Sequence, residues 1–199
     1  MGKSHPNVDP YVVSRVRALE SVLLEKGILA PGAVDRVIQR YEADTGPMVG
    51  ARAVARAWTD PGYKRLLLED AKSALLPFGV DYAMLVVVEN TPAVHNVVVC
   101  TLCSCYPWPV MGLPPTWYKM PAYRSRVVSE PRAVLREFGL EVPPDRDIKV
   151  WDSSAEMRYM VLPRRPSGTE HLSEGALVSC ITRDALIGVA DVAMPAAAR

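Results

Sequence analysis

Along the first third of the chain, apolar positions recur at helical spacing. Val12, Val13, Val16, Leu19, Val22 and Leu23 form one stripe, with Asp9 placed to cap it, Pro10 at the first helical position and Gly27 to stop it. A second helix is predicted from Pro31, carrying Val34, Val37, Ile38 and Tyr41 on its apolar face and ending before Gly46-Pro47. A third covers 49–58. The fourth opens at Asp60-Pro61 and turns Leu66, Leu67, Ala71 and Leu75 inward as far as Pro77. The first helix precedes everything else with a single stripe, so it either packs on its own domain or lies as an arm on a partner subunit.

After Gly79 the period changes. Residues 83–88 and 96–99 are short, nearly continuous apolar runs of the length of buried strands, and 148–151 and 157–162 read as strands too, separated by the polar Asp152-Ser153-Ser154. Short helices are predicted at 121–128, at 131–138 with Gly139 as the stop, and at 173–180. The segment 163–168 is a loop, and the Ala-rich end after Pro195 is expected to fray. Helices first and mixed strands afterwards predict an α+β fold. Its parts are an N-terminal helical arm and region, residues 1–78, and a mixed α/β layered domain, residues 79–199, with the boundary near 77–82.

Composition narrows the partners. With 199 residues, 49% of them hydrophobic, the chain can bury a sizeable core. A net charge of +1 with arginines scattered along the chain makes neither nucleic acid nor an anionic membrane an expected partner. No run approaches the roughly 18 apolar residues of a membrane span. The start, Met1 to Pro6, lacks the apolar core of a signal peptide, so the expected location is the cytoplasm, where clustered cysteines more often mean metal or redox chemistry than structural disulfides.

Three of the four cysteines, Cys100, Cys103 and Cys105, fall within six residues immediately after the second predicted strand. A Cys-x-x-Cys alone serves disulfide exchange, zinc binding and iron-sulfur ligation alike. The third thiol changes the picture. Cys103 and Cys105 flank only Ser104, so two sulfurs on one ion draw the backbone between them against that ion, while Cys100 reaches it from another side. No second Cys or His pair exists to complete a tetrahedral zinc site. The spacing suits thiolates joined by backbone nitrogens, a soft, anionic donor set that favours a late transition metal over magnesium or calcium. Pro107, Pro109, Pro114 and Pro115 stiffen the exit of the loop.

The run from Val99 to Pro109, Val-Cys-Thr-Leu-Cys-Ser-Cys-Tyr-Pro-Trp-Pro, with Gly112 to Lys119 after it, resembles the metal claw of the nitrile hydratase alpha subunit. Similarity continues through Val88 to Pro92, Tyr123 to Val128, Val150 to Ser154, Arg158-Tyr159, Thr182 to Asp184 and Ile187 to Val189, nearly the whole chain. The resemblance implies hydration of a nitrile to its amide. It implies one Co(III) per chain, with Fe(III) as the alternative and no organic cofactor, because Thr101 and Tyr106 at the two variable claw positions go with cobalt. The implied metal ligands are the sulfurs of Cys100, Cys103 and Cys105 and the amide nitrogens of Ser104 and Cys105. Cys103 would be oxidised to the sulfinic and Cys105 to the sulfenic acid, making these two the catalytic cysteines, with metal or sulfenate delivering the nucleophile.

By the same resemblance Lys119, Asp152 and Arg158 hold the surroundings of the ion, and Trp108 and Trp117 line the substrate pocket. Taken singly, each has a plain structural reading: a solvated charge, a turn residue, a strand cation and two core tryptophans. The implied partners are a beta subunit that closes the site, a small-molecule nitrile and a metallochaperone or activator for maturation. One segment departs from the family. Relatives commonly carry Gly-x-Gln-Gly-Glu where this chain has Gly79-Val80-Asp81-Tyr82-Ala83, so Asp81 and Tyr82 are expected to change the charge and shape of the pocket, with a bulky nitrile of the nucleoside kind as the alternative to a small aliphatic one. The rival readings are a thiocyanate hydrolase-type subunit and a non-catalytic metal or redox carrier. His95 and Cys180 are expected to be structural, and Glu89 and Asp184 to be capping or ion-pair carboxylates.

Overall fold

A computed structural model describes residues 10–39 and 46–193, with side chains from Val49 onward in the second stretch. Asp9 as a cap, Tyr41 on the second helix and the Ala-rich end after Pro195 lie outside the described residues. The chain divides into two compact units, Met1–Gln39 and Arg40–Arg199. This division and the change in sequence pattern near 77–82 mark different things, since helices on both sides of the pattern change share one core.

In the first unit, α1 (Pro10–Glu25) starts at its proline and stops where Gly27 turns left-handed at φ +66°, and α2 (Ala33–Gln39) follows. Neither helix contains a buried residue. The α1 stripe is open, with Val16 59% and Leu19 61% exposed.

The second unit begins with α3 (Gly46–Thr59), whose inner face is mostly small: Ala51, Ala53, Val54, Ala55 and Ala57 are all buried. Small side chains let neighbouring elements approach. A Cβ on Gly50 would meet Leu186 Cδ1 at 2.8 Å and the Val110 carbonyl at 3.1 Å. Asp60 caps α4 (Pro61–Glu69) by accepting from Tyr63 N at 2.9 Å. The single helix predicted from here to Pro77 is interrupted. Asp70 leaves the helical torsions and caps α5 (Ala71–Leu75), accepting from Ser73 N at 3.1 Å. A 3-10 turn, Leu76–Phe78, then ends at Gly79.

The four predicted strands are present as β1 (Leu85–Glu89), β2 (Val94–Val99), β3 (Asp147–Asp152) and β4 (Arg158–Leu162). They form two parallel pairs, β1 with β4 from Leu85↔Arg158 to Glu89↔Leu162, and β2 with β3 from Val94↔Asp147 to Val99↔Asp152. Parallel pairing needs long crossovers, and that from β2 to β3 holds α6 (Trp108–Met111), a 3-10 turn (Thr116–Lys119), α7 (Pro121–Ser129) and α8 (Pro131–Glu137). Ser173 caps α9 (Glu174–Val178) and Thr182 caps α10 (Arg183–Ile187). The architecture is α+β, as the order of patterns predicts. Among the described residues no helix is long and apolar enough to cross a membrane.

His95 is fully buried on β2. Its Nε2 lies 2.8 Å from the Gly188 carbonyl and its Nδ1 lies 3.4 Å from Asn90 Nδ2, so the ring joins β2 to the end of α10. Its pKa is lowered, chiefly by burial. Glu89 pairs with Lys64 at 2.5 Å, and Cys180 is half-buried with its sulfur 3.6 Å from the Ala176 carbonyl.

Candidate metal centre

The cysteine loop leaves β2 without a spacer. Cys100 follows Val99 directly and is fully buried, whereas Cys103 is exposed and Cys105 half-buried. The loop folds back so that Cys103 Sγ stands 3.4 Å from Cys100 Sγ and 2.9 Å from Cys105 Sγ. All three sulfurs lie within 4.8 Å of one another, close enough to share one ion. Cys103 N also donates to Cys100 Sγ at 3.3 Å.

Three side chains from outside pin the loop. The β2–β3 register sets Asp152 opposite Val99, and its carboxylate accepts from Thr101 N at 2.9 Å and from Thr101 Oγ1 at 2.5 Å. Arg124 on α7 donates to the Cys103 carbonyl at 2.5 Å. Tyr118 donates to the Cys105 carbonyl at 3.1 Å. Tyr118 is fully buried and meets Tyr106 edge-on at 5.1 Å. Next to it Tyr123 donates to the Val98 carbonyl at 2.7 Å. A cavity of about 330 Å³ opens beside the loop, lined by Thr101, Pro121, Arg124, Ser125 and Val128.

The thiols differ in acidity. Hydrogen bonds from Cys105 first and Cys100 second lower Cys103 to about 7. Burial, then its hydrogen bond to Cys103, pushes Cys105 up to about 12 against the opposing field of Arg158. Thiolates bind soft metals, so three sulfurs converging around an exposed Cys103 fit a late transition metal and not a hard cation.

The structure brings Cys100, Cys103 and Cys105 together with Ser104 exposed between them, and ties Asp152 to the loop. Arg158 is half-buried and donates to the Ser154 carbonyl. Lys119 is exposed at the end of its 3-10 turn. Trp117 is committed to an aromatic cluster, with ring centroids 4.8 Å from Tyr123 and 4.6 Å from Phe138. Trp108 opens α6 with 44% exposure. Asp81 pairs with Lys72 at 3.2 Å. Tyr118 and Arg124 were not singled out by sequence. They reach the claw from 13 and 21 residues away along a crossover of irregular pitch, a separation no local periodicity reveals.

Residues 11–190 match the family described as nitrile hydratase, alpha chain. The chain belongs to that family. It is 53% identical over 196 residues to the low-molecular weight cobalt-containing nitrile hydratase subunit alpha of Rhodococcus rhodochrous, covering 97% of this chain and 95% of the relative. A variant Fe-type nitrile hydratase from Comamonas testosteroni Ni1 superposes with a TM-score of 0.85 at 43% identity, over 95% of this chain and 97% of that one. The thiocyanate hydrolase subunit gamma of Thiobacillus thioparus is 45% identical over 87% of this chain and 76% of its own length. Cobalt-containing relatives and the three-cysteine cluster together support a cobalt centre in this nitrile hydratase alpha chain.

Proposed function

We propose that this chain is the metal-bearing alpha subunit of a cobalt nitrile hydratase, which hydrates a nitrile to the corresponding amide. The carrying observation is the convergence of Cys100, Cys103 and Cys105 within 4.8 Å at the end of β2, in a chain that matches the family from residue 11 to 190. The sulfurs of these residues and the amide nitrogens of Ser104 and Cys105 would hold one Co(III). Cobalt bound there supplies a Lewis acid that polarises a nitrile or acidifies bound water.

The protein supplies geometry and charge. Asp152 holds Thr101, Arg124 holds the Cys103 carbonyl and Tyr118 holds the Cys105 carbonyl, so the loop keeps its sulfurs convergent. The field of Arg158 favours negative charge at Cys105. In this reading Cys103 carries a sulfinic and Cys105 a sulfenic group, and the Cys105 oxygen serves as nucleophile or as the base that takes a proton from water. A beta subunit closes the exposed side of the claw, the apolar stripe of α1 lies on that subunit, an activator delivers the metal, and the assembly works in the cytoplasm. The departure of Asp81 and Tyr82 from the family pattern keeps a bulky nitrile as the alternative to a small aliphatic one.

The test joins elemental analysis with peptide mass spectrometry of residues 100–105 in the chain co-purified with its beta partner, followed by an amide-formation assay. Near-stoichiometric cobalt, three added oxygens shared between Cys103 and Cys105, and amide production support the reading. Exchangeable zinc on unmodified thiols in fully assembled, inactive protein would make the chain a metal carrier. The relation to thiocyanate hydrolase gives a second reading. Release of ammonia and carbonyl sulfide from thiocyanate, without amide formation from nitriles, would select it.

A further inference from the structure

Arg146 is a buried charge in ion-pair contact with no carboxylate among the described residues, where buried charges are usually paired. It stands just before β3 and is only 8% exposed, its Nε has no hydrogen-bond partner, and Nη2 reaches the Val94 carbonyl at a long 3.3 Å. Among the described residues no carboxylate oxygen lies within 4.0 Å of it. Its chain neighbours Asp145 and Asp147 are exposed. Arg146 lines a cavity of about 220 Å³ together with Arg164, Arg165, Ser167 and Asp191. Arg165 is fixed by the Trp58 carbonyl at 3.0 Å and the Thr169 carbonyl at 2.5 Å. Arg164 is exposed and makes no hydrogen bond or ion pair among the described residues. Three arginines thus line the cavity with one carboxylate, Asp191.

Size and chemistry together narrow the occupant. The cavity is smaller than the roughly 300–1,000 Å³ usual for organic ligands. Guanidinium forks match the oxygens of a tetrahedral oxyanion. Asp191 would repel an oxyanion that offers only acceptors, but it accepts readily from one that keeps a proton. We propose that this cavity binds inorganic phosphate, Arg146 and Arg164 donating to its oxygens and Asp191 accepting from its P–OH. Phosphate retains a proton near neutral pH and sulfate does not, so the site discriminates between two ions of similar shape. Binding links the stability of the fold to phosphate concentration.

The test is isothermal titration of inorganic phosphate and of sulfate into the full chain assembled with its partner subunit, at constant ionic strength set with chloride. Saturable one-to-one phosphate binding is expected, with sulfate weaker by at least about tenfold. Arg164→Ala, at an exposed position, should weaken phosphate by at least about tenfold. Asp191→Asn should bring the two anions to similar affinities. Arg136→Ala, which removes an exposed arginine paired with Glu141 at 3.1 Å, controls for net charge and should change nothing. The proposal is overturned by the absence of saturable phosphate binding, by equal affinity of the unmodified protein for both anions, or by equal losses in Arg164→Ala and Arg136→Ala.

Discussion

Both oxygens of Asp152 are committed to Thr101, one to its amide and one to its hydroxyl. Such indirect support of a metal site is worth about 10–100-fold in affinity or activity. Asp152→Asn keeps the shape but turns one acceptor into a donor, and it is expected to lower cobalt content and amide formation by a factor in that range. Elemental analysis beside the activity assay checks both. The thiols give a second residue-scale prediction. In metal-free chain Cys103 should be alkylated with a midpoint near its pKa of about 7, while Cys105 stays protonated until about 12. Mass-spectrometric mapping of alkylation against pH reads the two separately, and equal reactivity at pH 8 would contradict the arrangement of the sulfurs.

Between β2 and α10 two residues make one joint. Gly188 takes φ +91°, and a Cβ there would stand 2.1 Å from the Asn96 carbonyl oxygen, so Gly188→Ala combines torsional strain with a backbone clash. We expect it to cost at least about 2 kcal/mol, visible as a lowered midpoint in chemical denaturation. The joint's other half titrates. Burial depresses the His95 pKa below its ordinary 6.5, so the unfolded chain binds more protons at acid pH. The stability tied to neutral His95 is full above 6.5 and falls as pH drops through the depressed value. Denaturation midpoints measured from pH 8 to pH 5 should decline, and His95→Gln should flatten the part of that decline due to this ring.

The same scale shows what the sequence makes legible. β1 and β2 were visible as nearly continuous apolar runs because both are largely buried, whereas β3 is half-buried with Lys149 exposed and was legible only through Ile148, Val150 and Trp151. The claw was visible because three thiols packed into six residues are hard to use for anything but metal or redox chemistry. The break at Asp70 was not, since Leu66, Leu67, Ala71 and Leu75 keep helical spacing across it and only the cap's own geometry exposes the kink. Residues 183–187 were too short to show a period, although Thr182 and Gly188 bracket them as cap and stop. Around the site, Asp152 was legible by family resemblance, whereas Tyr118 and Arg124 depend on how the crossover folds over β2.

At the scale of the whole molecule, residues 10–39 bring two helices without a buried residue, and the unit from Arg40 carries the core. Deleting residues 1–39 is therefore expected to leave a cooperative thermal transition and convergent cysteines in the remainder. It should abolish stable co-elution with the beta subunit on size exclusion. Loss of the transition itself would assign the arm to folding and not to assembly.

Parallel pairing of β2 with β3 has a consequence in time. The cysteines and the aspartate that fixes their loop are joined across 51 positions of sequence. A ribosome adding roughly 5–20 residues per second makes Asp152 several seconds after the sulfurs. Throughout that interval the thiols exist without the scaffold that aims them. Capture of the proposed cobalt in this geometry would therefore wait on synthesis of the chain past β3, when Asp152 can close on the loop.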